Sequence, residues 1–272
     1  MTIDITLPHY GDTKYLKLAI DSILSQKYQN WRLIVVDDGG GDETKGLIDK
    51  IKKQTKNEVK YVKNEKNLGF ARNFQKCLDS VKNDWFVVMG NDDIMLPNFL
   101  EQFAEIKNKD FDLYQPTVRT IDSAGRVSNS MTDRIKKMLS PRKAGIYQGE
   151  KLASSLMVGN WLYFPSIIWH TETARKYNFD SKFGDLVDMG MELDIILGGG
   201  KLFWNKSDVS FYYRRHAASA SSLNAKNGKH QQDEKVFYDW AIDRFKQQGW
   251  RKAERNARMQ ITSRVKKLID RF

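Results

Sequence analysis

Through its first 115 positions the chain alternates short apolar runs with longer segments whose apolar residues fall three and four apart. "IDITL" (3–7) predicts a buried strand and "PHYGDT" a turn, and Leu16, Ala19, Ile20, Ile23 and Leu24 predict a helix over 14–26. "WRLIVV" (31–36) predicts the next strand, followed by "DDGGGDET" and a helix over 43–54. "VKYV" (59–62) and a helix around "FARNFQKCLDSV" make a third unit, and "WFVVM" (85–89) a fourth strand. Pro97 suits the first turn of the next helix, and "FDLYQP" (111–116) reads as a fifth strand.

Strands and helices in alternation predict a parallel sheet with right-handed crossovers. In such sheets ligands bind in the crevice outside the carboxyl ends of the strands. His9, Asp37, Asp38, Asn67, Arg72, Asp92 and Asp93 all stand at or just after those ends, so the site is expected there. The first strand is not followed by a G-x-G-x-x-G dinucleotide fingerprint, and the sequence contains no GxxxxGK[ST] phosphate loop. A strand-end aspartate such as Asp37 or Asp38 can accept hydrogen bonds from a base or ribose; an Asx turn is the structural alternative, and Asp42 could cap the helix.

Asp92 and Asp93 leave a buried strand as an adjacent pair of carboxylates. Mg²⁺ and Mn²⁺ take one or two carboxylates together with phosphate oxygens, and a strand-end pair facing a nucleotide diphosphate supplies them. A turn that caps the following helix is the competing reading.

The second half is less regular. "GNWLYFPSIIWHTETARKYNFDSKF" (159–183) carries Trp161, Tyr163, Phe164 and Trp169, either stacking surfaces for a sugar or core residues. "FGDLVDMGMELDIILGGG" predicts a helix stopped by glycines, with Asp188 and Glu192 on one face.

Taken in order, these segments resemble family 2 glycosyltransferases with the GT-A fold, over residues 3 to about 222. The matching pieces are "ITLPHYGDTKYLKLAIDSILSQKYQNWRLIVVDDGGGDET", "NEKNLGFARNF", "NDWFVVMGNDDIMLPNFLE" and "FYYRRHAASASS". The resemblance implies an α/β, Rossmann-like, mainly parallel central sheet flanked by helices, with a C-terminal helical extension. It implies a nucleotide-sugar-binding half at 1–98, an acceptor-binding half at 99–228 and a basic helical tail at 229–272. Pro8, His9, Tyr10, Asp37, Asp38, Asn67, Arg72, Asn91, Asp92 and Arg215 would contact the donor. Asp92, Asp93 and His216 would hold Mn²⁺ or Mg²⁺, and Asn160 and Trp161 would meet the acceptor. Asp188 would be the general base, with Glu192 beside it to position the acceptor or act in its place. One position departs: Gly90 stands where the family's first DxD aspartate would be.

The implied reaction is inverting transfer of a sugar from a UDP- or dTDP-sugar to a hydroxyl of a glycan or lipid-linked acceptor. In this family the commonest setting is bacterial capsule, O-antigen or cell-wall polysaccharide synthesis. A noncatalytic nucleotide-sugar-binding homologue is the alternative that Gly90 permits.

Charge sharpens two points. The chain carries +11, and residues 244–272 hold ten Lys/Arg against Glu254 and Asp270, a net of +8. Only +3 remains for the rest, which argues against a nucleic-acid-binding groove through the fold. In the tail, Ile261, Val265, Leu268, Ile269 and Phe272 form one apolar stripe among cations. That stripe predicts either a peripheral anchor on anionic membrane or packing on the body or in a homodimer. One cysteine, Cys77, excludes an internal disulfide and reads as a buried helix residue. "MTIDITLPHY" lacks the flank of a secretory leader, so a cytoplasmic location, at most peripheral on the inner face of the membrane, is expected.

Overall fold

The computed structural model describes residues 1–216 and 229–260. Four parallel strands come first: β1 (Ile3–His9), β2 (Trp31–Asp37), β3 (Val59–Lys63) and β4 (Trp85–Val88). Helices α1 (Lys14–Leu24), α2 (Gly41–Lys52) and α3 (Phe70–Ser80) connect them. The order β3-β2-β1-β4 brings the carboxyl ends of β1, β2 and β4 side by side on one edge. The same sheet continues through β10 (Ile168–His170), β6 (Leu113–Gln115), β11 (Lys201–Trp204) and β9 (Gly145–Gln148). Strand β10 is antiparallel to both β4 and β6, so β6 again runs with β4. The two expected halves therefore share one eight-stranded sheet.

Alternation along β2 divides the core. Leu33 and Val35 join Ile3, Ile5 and Leu7 under α1 and α2, with Leu16, Ala19, Ile20 and Ile23 of α1 facing them. Ile34 and Val36 point the other way, toward Cys77 and Leu78 of α3. A fully buried aliphatic side chain contributes about 1.5–3 kcal/mol, and seven residues of β2 in succession are buried. Acidic Asp42 and Glu43 open α2 and Lys50 and Lys52 close it, matching the helix dipole.

The amino-terminal edge is fastened by an ion pair that the sequence reading does not anticipate. Asp4 and Arg32 are register partners on β1 and β2, and Arg32 donates to the Asp4 carboxylate at 2.8 and 3.0 Å. The backbone N–H groups of Lys82 and Asn83 and the Asn83 amide complete the shell, at 2.7, 3.0 and 2.6 Å. Burial alone would raise the Asp4 pKa, but Arg32 and these donors outweigh it and hold the carboxyl below its usual range.

A smaller sheet covers the other edge: β5 (Ile94–Met95), β12 (Phe211–Arg214), β7 (Val118–Ile121) and β8 (Val127–Ser128). After β5 comes α4 (Phe99–Ala104), preceded by Pro97 and Asn98. Helix α5 (Met131–Leu139) follows β8, begins with a Ser130–Asp133 capping box, and has no fully buried residue, with Asp133, Ile135, Lys136 and Leu139 half-buried. Helices α6 (Gly149–Val158), α7 (Thr171–Ala174) and α8 (Val187–Leu197) lie in the second half.

The described part of the expected tail is not a tail. Helices α9 (Lys229–Gln248) and α10 (Arg251–Met259) bury Phe237, Tyr238, Ala241, Phe245, Ala253 and Ala257 in the core that α3, α6 and α8 share. Residues with these apolar contacts belong to the body. The stripe from Ile261 to Phe272 lies outside the described residues.

Candidate active site

The carboxyl ends of β1, β2 and β4 are knitted together by their own polar side chains. The Asp38 N–H donates to the His9 carbonyl at 2.8 Å, and the Asn91 amide meets His9 Nδ1 at 2.9 Å. His9 is fully buried and its Nε2 has no partner; burial lowers its pKa against the pull of Asp37. Gly40 explains part of the "GGG" run, because a Cβ there would lie 2.1 Å from Thr44 Oγ1 and 2.7 Å from His9 Nε2.

Asp37 accepts from the N–H groups of Gly39 and Gly40 at 3.0 and 2.5 Å and from the Tyr61 hydroxyl at 2.5 Å. It is fully buried, and its bonds to Gly39 and Gly40 are those of the Asx-turn alternative. The expected cap residue Asp42 lies within the first turn of α2 and makes no capping bond. Asp38 holds the 64–69 loop, accepting from Asn64 Nδ2, Leu68 N and Gly69 N at 2.9, 2.8 and 2.9 Å. Pro8 is half-buried, whereas Tyr10, Asn67 and Arg72 are exposed around the same edge.

Asn91, Asp92 and Asp93 turn the chain after β4, and β12 runs beneath the turn. Arg214 grips it, with its backbone N–H on Asp93 Oδ1 at 2.8 Å and its Nε on the Asp92 carbonyl at 2.7 Å. The Asp92 carboxylate is partly exposed and lies 2.8 Å from His216 Nε2. Asp93 is 1% exposed and its Oδ2 has no hydrogen-bond partner. Burial first and the Asp92 charge second push its pKa well above the usual carboxylate range. A Cβ on Gly90 would stand 2.5 Å from Asp93 Oδ2 and 2.9 Å from Asp92 Oδ1. The departure at Gly90 is therefore steric: both carboxylates fold back over that position.

On the acceptor side, Asp188 opens α8 and is half-buried, and Glu192, one turn on, is completely buried. Asn160 donates to Glu192 Oε2 at 3.3 Å, while Oε1 has no partner. Burial raises both pKa values, that of Glu192 well above normal with Asp188 adding to the shift. Lys136 of α5 hydrogen-bonds the Leu162 carbonyl, and its pKa falls to about 8 through burial and the charge of Arg215. Asp133, on the same helix, accepts from Arg215 at 2.9 and 3.2 Å. Tyr213 of β12 has its pKa raised, by burial first and then by the charges of Asp93, Asp92 and Asp188.

Hydrogen bonds join His9, Asp38 and Asn91, and Asp92 to His216; other expected residues are placed differently. Arg215 is engaged with Asp133. Trp161 is 1% exposed, donates its indole N–H to Ser155 at 3.2 Å, and packs edge-on to Trp204. A stacking surface needs an open ring face, so the core reading applies to Trp161, as it does to the buried Phe164 and Trp169. Arg214, which the sequence offers with Arg215 beside His216, grips the Asp92–Asp93 turn, whereas sequence reasoning missed Asp133 and Lys136. The S-x-x-D of the α5 capping box was the signal available for Asp133.

No three His, Cys, Asp or Glu side chains form a ready metal group among the described residues. The donors present still fit a hard divalent cation. Asp92 and His216 offer a carboxylate and an imidazole at the edge, the unpartnered Asp93 oxygen adds negative potential behind them, and Mg²⁺ or Mn²⁺ commonly completes its shell with diphosphate and water.

A family model for glycosyl transferase family 2 matches residues 4–171. The uncharacterized glycosyltransferase MJ1057 of Methanocaldococcus jannaschii is 27% identical over 183 residues, 66% of this chain and 59% of that protein. Glycosyltransferase GlyG of Streptococcus pneumoniae is 30% identical over 112 residues, 41% and 37% of the two chains. The chain thus aligns with less than two thirds of the length of these relatives. Among solved structures, S. aureus TarS 1-349 in complex with UDP-GlcNAc superposes with a TM-score of 0.65 at 16% identity, over 98% of this chain and 92% of that one. The mannosyltransferase PcManGT from Pyrobaculum calidifontis, in complex with GDP-Man and Mn²⁺, gives 0.67 at 13% identity, over 97% and 74%. These likenesses establish a GT-A fold, and with the match over more than half its length the chain belongs to glycosyl transferase family 2.

Proposed function

We propose that the protein is an inverting glycosyltransferase that moves a sugar from a UDP- or dTDP-sugar to a hydroxyl of a glycan or lipid-linked acceptor. The observation that carries this reading is the donor edge, where the Asp92 carboxylate lies 2.8 Å from His216 Nε2 beside the buried Asp93, while Asp188 and Glu192 come from α8 in the other half of the chain. Inversion requires the base and the leaving group on opposite faces of the sugar, and carboxylates from two halves of the chain supply that separation.

Tyr10, Asn67 and Arg72, exposed at this edge, would contact the nucleotide, and the buried Asp38 would serve by holding the 64–69 loop that carries Asn67. Asp92 and His216 would hold Mn²⁺ or Mg²⁺, which when bound neutralises charge on the departing diphosphate. Asp188, half-buried and with a pKa raised by that burial, takes the proton of the acceptor hydroxyl as its oxygen bonds to the anomeric carbon and the diphosphate leaves. Glu192 is completely buried and acts through Asn160 as a positioning group. The segment 261–272 would attach the enzyme to anionic membrane. A truncation that tests this belongs after Gln260, since an earlier one would cut packed helices.

The test is donor hydrolysis and UDP calorimetry across UDP-, dTDP- and GDP-sugars, with and without Mn²⁺. Metal-stimulated turnover of a UDP- or dTDP-sugar is expected. Binding without any turnover would favour the noncatalytic reading, and no binding at millimolar nucleotide would remove the donor assignment.

A further inference from the structure

Beneath α5 lies a cavity of about 600 Å³ that the donor site does not use. Its walls come from α5, the β7–β8 hairpin, the segment after α5 and the aromatic side chains of Trp161, Tyr163 and Trp204. The lining contains Arg119, Lys136, Lys137, Arg142 and Lys206, against one carboxylate, Asp133. Asp133 is already neutralised by Arg215, at 2.9 Å, so it does not offset the five cations. The donor edge is the reverse, built around carboxylates.

This concentration is notable in a body whose first 243 residues carry only +3. Five like charges around one concavity repel each other, and an anion in their midst would relieve that repulsion. A neutral sugar gains little from them. Lys136 lines the cavity and hydrogen-bonds the Leu162 carbonyl, and Leu162 N–H donates to Asn160, which in turn donates to Glu192, so the cavity wall is tied to the acceptor side of the proposed site. Arginine and lysine together suit phosphate, the first by its planar fork and the second as a point charge.

We infer that this cavity receives a phosphate group of the acceptor, and that the protein glycosylates an anionic, phosphate-bearing acceptor. The inference rests on the proposed transferase reading and adds the acceptor's chemical class. The phosphate can belong to a backbone phosphodiester of a soluble polymer or to the diphosphate of a lipid-linked sugar.

Two probes separate those sources: a fluorescent glycerol-phosphate oligomer in solution, and an isoprenyl-diphosphate-linked sugar in neutral phosphatidylcholine vesicles. A neutral oligosaccharide is the control. The variant Arg119→Ser/Lys137→Ser/Arg142→Ser removes three exposed cations that lie outside the catalytic groups. Wild-type protein is expected to bind one of the phosphate probes and not the neutral control, with tighter binding at low salt. The triple variant should weaken that binding about tenfold while UDP binding stays unchanged. If the triple variant fails to fold, each single variant should carry part of the loss. Failure of both probes to bind, or binding unaltered by the substitutions, overturns the acceptor inference and leaves donor binding intact. An equal loss of UDP affinity would also overturn it, by showing that the cations serve the donor diphosphate.

Discussion

Two buried carboxylates at opposite edges of the same sheet have opposite fates. Asp4, at the amino-terminal edge, is 0% exposed and is surrounded by donors from Arg32, Lys82 and Asn83. Asp93, at the carboxyl edge, is 1% exposed, accepts from the Arg214 N–H, and keeps one oxygen unpartnered. Accordingly the pKa of Asp4 lies below its usual range and that of Asp93 well above it. His9 Nε2 and Glu192 Oε1 are also buried without partners, and they too belong to the site side of the molecule. Unpartnered atoms are not confined to that side, since Trp31 Nε1 at the start of β2 is one as well, but Asp93, His9 and Glu192 carry theirs on groups that a metal or substrate can engage. The opposite edge holds the fold together.

The largest effect should come from breaking the satisfied edge. Arg32→Ala leaves Asp4 buried and uncompensated, a change that costs about 3–5 kcal/mol. At two to four degrees per kcal/mol for a chain of this size, the melting temperature should fall by roughly 10 °C. Thermal unfolding reads it directly. Nucleotide binding by the remaining folded protein should be unchanged, since Arg32 stands at the far end of β2.

Asp92→Ala tests the other edge. Turnover should fall by about 10²–10³-fold, the scale of about 2.7–4 kcal/mol for losing one transition-state electrostatic contact. The melting temperature should move little, because the carboxylate is partly exposed and its carbonyl, not its side chain, is what Arg214 holds. Wild-type rates in this variant would return Asp92 to the role of a turn residue.

Asp188→Asn should lower turnover by at least about 10²-fold and leave donor affinity near wild type. If Glu192→Gln loses turnover while Asp188→Asn keeps it, the base lies one turn further along α8.

The contrast between the edges was only partly legible in the chain. Strand ends were readable because buried parallel strands are near-continuous apolar runs, and "LIVVDD" and "WFVVMGNDD" stop abruptly in carboxylates. The Asp4–Arg32 pair was not, since Asp4 sits inside "IDITL" and its partner comes from another strand in register. The small sheet was hidden because β5 is only two residues long and pairs with β12, more than a hundred residues away. The roles of Asp37 and Asp38 depend on backbone N–H groups, which every residue of a glycine-rich loop carries alike. Trp161 and Trp169 looked available for sugars because composition cannot say which face of an aromatic ring is covered. Helices α9 and α10 read as a basic tail because cations surround the few small and aromatic positions that pack.

The smallest effect is the one that compares the two carboxylates most directly. Asp93→Asn keeps the shape of the side chain and the acceptor oxygen for Arg214 N–H, and removes the buried charge. At pH 7 it should stabilise the free protein, because it removes the buried charge while the amide nitrogen merely takes the unpartnered place of Oδ2. The sign follows from linkage. Because the folded-state pKa of Asp93 is raised, its contribution to stability is full below its unfolded pKa and is lost as pH rises through the folded value. Wild type should therefore close the gap with Asp93→Asn as pH falls, as Asp93 becomes protonated. Asp4 runs the other way: its pKa is lowered, so its contribution is present above the unfolded value and is lost as pH falls through the folded one. Both proteins carry Asp4, so its loss cancels in their difference, and denaturant melts of the pair between pH 4 and 8 isolate Asp93. A difference that stays constant across that range would mean that Asp93 does not titrate, and that the carboxyl edge is as well satisfied as the edge Asp4 fastens.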